Sequence, residues 1–98
     1  MLGLVMYDIT DDATRNKVAS LCQDYGLRRL QKSVFCGEAT SKTLLQLADR
    51  VSEVIGKGEG SERVLFLGAC EKCISGILSL GTPFSPEEFR YPRLVIIG

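Results

Sequence analysis

The sequence predicts an α+β sandwich with the element order βαββαβ, followed by an extra strand at the C-terminus. Three observations carry this prediction. Leu4, Val5, Met6 and Tyr7 form a nearly continuous apolar run, as in a central strand covered on one or both faces. Two later stretches repeat apolar residues at helical spacing, each between a capping residue and a glycine. Short extended segments alternate with these helices, in the order of a ferredoxin-like split βαβ unit.

Each element has its own signals. Residues 2–9 read as the first strand. Thr10 then offers a helix N-cap, and Asp11 and Asp12 place negative charge in the first turn, where the helix dipole favours it. Val18, Leu21, Cys22 and Tyr25 follow at i, i+3, i+4, i+7, and Gly26 closes that helix. Residues 27–38 are extended, as one bent strand or two short ones. Thr40 or Ser41 caps a second helix with the face Leu44, Leu47, Ala48, Val51 and Ile55, which ends at Gly56. A Gly-rich loop over residues 57–61 leads to a strand over residues 63–67. Residues 70–80 mix helical spacing (Cys73, Ile74, Ile77, Leu78) with glycines, and residues 81–92 are loop-like, with Pro83, Pro86 and Pro92. Residues 94–97 form the last short strand. We therefore divide the chain into a domain over residues 1–80 and a tail over residues 81–98. The tail strand is expected to pair with the sheet edge of a dimer partner.

Composition bounds the function. Twelve Lys and Arg balance twelve Asp and Glu, which argues against coating nucleic acid by bulk charge. Five basic residues (Arg15, Lys17, Arg28, Arg29, Lys32) nevertheless fall between positions 15 and 32, against one acidic residue, Asp24. The absence of His excludes His-based acid–base chemistry and His metal ligands. No signal-like segment and no apolar run of about 18 residues is present, so the expected location is the cytoplasm, away from membranes. The four cysteines are then expected as thiols.

Three groups of residues invite chemistry. Asp8 ends a buried strand, where a carboxylate needs a hydrogen bond, an ion pair or a metal. With Asp11 and Asp12 it could recruit magnesium, although those two also suit a helix start. Arg15, Lys17, Arg28, Arg29 and Lys32 suit phosphates, the arginines in bidentate fashion. Tyr7 and Phe35 suit either base stacking or the core. Cys70 and Cys73 have the spacing of half a zinc site or of a redox pair, and equally of packed thiols.

Tyr7-Asp8-Ile9-Thr10-Asp11-Asp12, Arg15-Asn16-Lys17-Val18, Tyr25-Gly26-Leu27, Gln31-Lys32-Ser33-Val34-Phe35 and Gly37-Glu38 together resemble the CRISPR-associated protein 2 family. The resemblance is dense over residues 4–40 and weaker through the second helix, the strand at 63–67 and the Cys70–Cys73 pair. It implies a ferredoxin-like homodimer in which two Asp8 carboxylates face each other across the two-fold axis. It further implies metal-dependent endonuclease activity on single-stranded RNA or double-stranded DNA, with magnesium or manganese held by Asp8 as the catalytic residue. The implied partner is the CRISPR integrase, CRISPR-associated protein 1, bridged by the dimer while captured duplex DNA is held by its backbone. Tyr7, Arg15, Arg29 and Phe35 match positions the family associates with activity, and Lys17 stands where some members have Arg. A nucleic-acid-binding scaffold without cleavage, and a metal or redox module using Cys70 and Cys73, are the competing readings.

Overall fold

A computed structural model describes residues 1–56, 60 and 62–90. The chain begins with β1 (Leu2–Asp8), whose side chains alternate between two covering layers. Asp11 caps α1 (Asp12–Asp24) by accepting a hydrogen bond from the Thr14 amide at 2.8 Å. The cap therefore falls one residue beyond Thr10, because a carboxylate satisfies a free first-turn amide better than a hydroxyl one position early. Gly26 follows the helix with φ 85°, a left-handed conformation that glycine adopts without strain, and turns the chain into the sheet.

The extended stretch after it is two strands, β2 (Arg28–Gln31) and β3 (Val34–Glu38), with a register shift between Arg29 and Gln31. Thr40 caps α2 (Ser41–Ile55), which ends at Gly56 and turns Leu44, Leu47 and Val51 inward. The strand β4 (Arg63–Ala69) runs two residues longer than the pattern indicates. Two short helices follow, α3 (Glu71–Ser75) and α4 (Glu87–Arg90). The second lies inside the stretch expected to be loop. Four residues are too few to show a period, but Pro86 and the acidic first turn suit a helix start. The expected tail strand over residues 94–97 lies outside the described residues.

The sheet order is β2-β3-β1-β4 with every pairing antiparallel, the ferredoxin-like arrangement expected from the element order. Odd-numbered β1 residues face the helices. Val5, Tyr7 and Ile9 pack with Phe35, Val18, Cys22, Leu47 and Val51 into the main core. Even-numbered residues face the other way. There Leu2 joins Cys36, Ile74 and Phe89 in a second cluster, supplied by α3 and α4. This second layer is incomplete. Leu65 and Leu67, beside Met6 and Leu4 on the same face, are each 52% exposed. No helix of the described residues is long and apolar enough to cross a membrane.

Candidate functional site

The position of Asp8 follows from strand parity. The core-facing row of β1 ends on Tyr7 and continues to Ile9 just past the strand, so Asp8 emerges on the opposite, half-covered face at the strand's end. Its cross-strand neighbour is Arg63, the first residue of β4. Met6, Tyr7, Asp8, Arg63 and Leu65 line a shallow hollow there. The ion pairs among the described residues join Met1 to Glu38, Arg15 to Asp12, and Arg90 to Glu71 and Glu87. Asp8 is in none of them, and among the described residues its exposed carboxylate has no charged partner, which leaves it open to a ligand.

The grouping of Asp8 with Asp11 and Asp12 does not hold. Asp11 Oδ2 accepts from both the amide and the hydroxyl of Thr14, each at 2.8 Å, and these bonds hold its pKa below the usual 3.8. Asp12 is engaged by Arg15. Both carboxylates serve the start of α1. No group of three or more potential metal ligands forms among the described residues. Among the described residues, one chain therefore offers a divalent cation one unpaired carboxylate at this place, Asp8. That suits magnesium only if a second carboxylate or a phosphate completes the sphere, since the ion retains several waters and takes few protein ligands.

The basic residues divide between the two sides of the sheet. Arg15 donates to the Ile9 carbonyl at 3.2 Å, which holds it beside the loop that follows Asp8. Arg29 pairs with Phe35 on the helix side, where its guanidinium lies 4.9 Å from the Phe35 ring centre and donates to the Lys32 carbonyl. Lys32 sits in the β2–β3 turn, which the Tyr7 amide reaches through a 3.0 Å bond to Ser33. Lys17 lines a groove between α1 and α2 with Asn16, Asp24 and Arg50. Arg28 turns the other way. Its guanidinium lies over the Phe89 ring at 5.5 Å and donates to the Glu88 carbonyl, so α4 engages it.

The expectation that Tyr7 and Phe35 contact nucleic acid is corrected by their burial. Phe35 is 0% exposed and Tyr7 6%, because both fall on the core-facing parity of their strands. Their rings lie 6.3 Å apart, and Arg29 covers Phe35. Neither offers a face to a base. Arg63 is the residue that sequence reading missed. Only the β1–β4 register brings it opposite Asp8, and a charged residue opening a strand after a glycine-rich loop carries no mark of that pairing.

Residues 1–77 match the family model described as CRISPR associated protein Cas2. The chain is 42% identical over 72 residues to the CRISPR-associated endoribonuclease Cas2 of Desulforudis audaxviator, covering 74% of this chain and 66% of that protein. It is 36% identical over 83 residues to the CRISPR-associated endoribonuclease Cas2 2 of Pyrobaculum aerophilum, covering 85% and 89%. A CRISPR-associated endonuclease Cas1/endonuclease Cas2 fusion of Thermoproteus tenax is 33% identical over 66 residues, covering 67% of this chain and 25% of the fusion. Among solved structures, Streptococcus pyogenes Cas2 at pH 6.5 superposes with a TM-score of 0.66 at 27% identity, covering 83% of this chain and 100% of that one.

Proposed function

The chain belongs to the Cas2 family, and on that premise we propose that it acts in CRISPR adaptation, in the cytoplasm, as a homodimer with a metal-dependent endonuclease site at Asp8. The observation that carries this reading is the free, exposed Asp8 carboxylate on the incompletely covered face of the sheet. Leu65 and Leu67 extend an apolar surface from the same hollow, and a second copy laid face to face would bury it. Such a dimer brings two Asp8 carboxylates together. It would thereby add a second carboxylate to the one that the described residues of a single chain offer, and the mutual repulsion of the pair would favour binding of a divalent cation. A bound magnesium or manganese supplies charge neutralisation and an activated water. Asp8 would hold the cation, and Arg63, its cross-strand neighbour, would offer a guanidinium to a phosphate of single-stranded RNA or duplex DNA. The names of the relatives favour RNA.

Asp8→Asn tests this directly, because the residue is exposed and the replacement nearly isosteric. Metal-dependent cleavage of single-stranded RNA should be abolished while the circular-dichroism spectrum and urea midpoint stay unchanged. Full cleavage by a folded Asp8→Asn protein would overturn the site.

A scaffold role has its own support. Arg15, Arg29 and Lys32 hold charge at the helix side and the β2–β3 turn, apart from the Asp8 face. The Thermoproteus fusion joins a related segment to a Cas1 endonuclease. We propose that these basic residues, with Lys17 as a point charge, grip the backbone of captured DNA while the dimer bridges Cas1. Arg29→Glu with Lys32→Glu should then reduce spacer acquisition that Asp8→Asn leaves intact. Normal acquisition by the charge-reversed protein would remove the scaffold reading.

A further inference from the structure

The four cysteines form two classes. Cys22 and Cys36 are fully buried, and burial pushes their thiols up to about 12 and about 11. Cys70 and Cys73 are exposed, and their sulfurs lie 3.6 Å apart. Cys70 directly follows β4 and Cys73 lies in α3, so the junction itself holds the pair together. Cys70 makes no complete capping bond, yet the nearby amide of Cys73, then its thiol, then the amide of Lys72 draw the Cys70 thiol below its ordinary pKa. Glu71, between the cysteines, is turned to Arg90. The described residues add no third ligand that would make the pair a closed metal site.

We propose that Cys70 and Cys73 form a reversible dithiol–disulfide site that exchanges with low-molecular-weight disulfides such as oxidised glutathione. A disulfide bond is about 2.0–2.1 Å long, so the sulfurs need to close by only a small side-chain rotation. The Cys70 thiolate attacks one sulfur of the external disulfide, forming a mixed disulfide and expelling one small thiolate. Cys73, deprotonated in turn, attacks the Cys70 sulfur, forming the Cys70–Cys73 bond and expelling the second small thiolate. The two protein thiols lose two electrons, which reduce the external disulfide to two thiols, and their two protons pass to the expelled thiolates. This site lies at the opposite end of β4 from Arg63 and is independent of the Asp8 reading.

The experiment uses the full chain, titrated in buffers of reduced and oxidised glutathione, acid-quenched, unfolded, alkylated and weighed by mass spectrometry. The expected product has lost two hydrogens, carries a Cys70–Cys73 bridge, keeps Cys22 and Cys36 alkylated, and returns to four thiols with dithiothreitol. Cys73→Ser should retain one glutathione on Cys70, and Cys70→Ser should take up the first glutathione about tenfold more slowly than Cys73→Ser. Four free thiols in excess oxidised glutathione, a disulfide between two chains, or one zinc per chain protecting the pair from alkylation would each overturn the proposal. Equal uptake rates in the two variants would overturn Cys70 as the attacking thiol.

Discussion

The two faces of the sheet are built from the same strands but closed to different degrees. On the helix side, α1 and α2 cover Val5, Tyr7 and Phe35, and the packing is complete within one chain. On the other side, α3 and α4 cover only the part around Leu2 and Cys36, leaving Leu65 and Leu67 open beside Asp8. The helix side holds the fold. The half-covered side is where a further molecule can act, so substitutions on the two sides should read out differently.

The largest difference should come from paired truncations. Leu47→Ala removes a fully buried side chain from the helix-side core and should cost about 2–5 kcal/mol in urea unfolding. Leu65→Ala should cost the monomer under about 1 kcal/mol, since its side chain is half in solvent. Equal costs would break the distinction. The next effect concerns association. Leu65→Glu with Leu67→Glu should shift sedimentation towards the monomer with little change in its stability, as like charges would face each other across the proposed dimer. An unshifted dimer would move the contact elsewhere.

Alkaline pH sharpens the comparison, because both buried thiols lie in the cores. Burial raises Cys22 and Cys36 from the ordinary 9.0 to about 12 and about 11, with Arg29 partly opposing the shift at Cys22. The unfolded chain releases these protons near pH 9, whereas the folded chain still holds them. Their contribution is therefore complete below pH 9 and is lost as pH rises towards 11–12. Urea midpoints should fall over that interval, and Cys22→Ala with Cys36→Ala should flatten the fall. The smallest effect is at Tyr7, whose buried hydroxyl has no hydrogen-bond partner among the described residues. Tyr7→Phe should leave stability unchanged or raise it by up to about 1 kcal/mol, since an unsatisfied polar atom is removed. A clear loss would reveal a partner for the hydroxyl.

Much of the helix side was legible in the sequence. The helical faces around Val18 and Leu47, the cap at Thr40 and the stops at Gly26 and Gly56 are local signals, and the structure uses them as such. The shift between Arg29 and Gln31 was not legible, because cross-strand pairing sets it. Site residues follow the same division. Asp8 stands out as a carboxylate at a strand end. Its separation from Asp11 and Asp12, its pairing with Arg63 and the burial of Phe35 depend on strand parity and register, which neighbouring residues do not reveal. Arg28 and Arg29 are adjacent in sequence, and strand alternation sends them to opposite faces.

The sheet order also leaves β4 at an edge, paired on one side with β1 and on the other with nothing among the described residues. A seven-residue edge presents backbone amides and carbonyls that recognise another strand by spacing rather than by side chain. A joint made there tolerates drift in the residues that form it, so partners can diverge in sequence and still dock. The same edge is a liability for a chain made in excess of its partner, since any extended segment meets the same invitation.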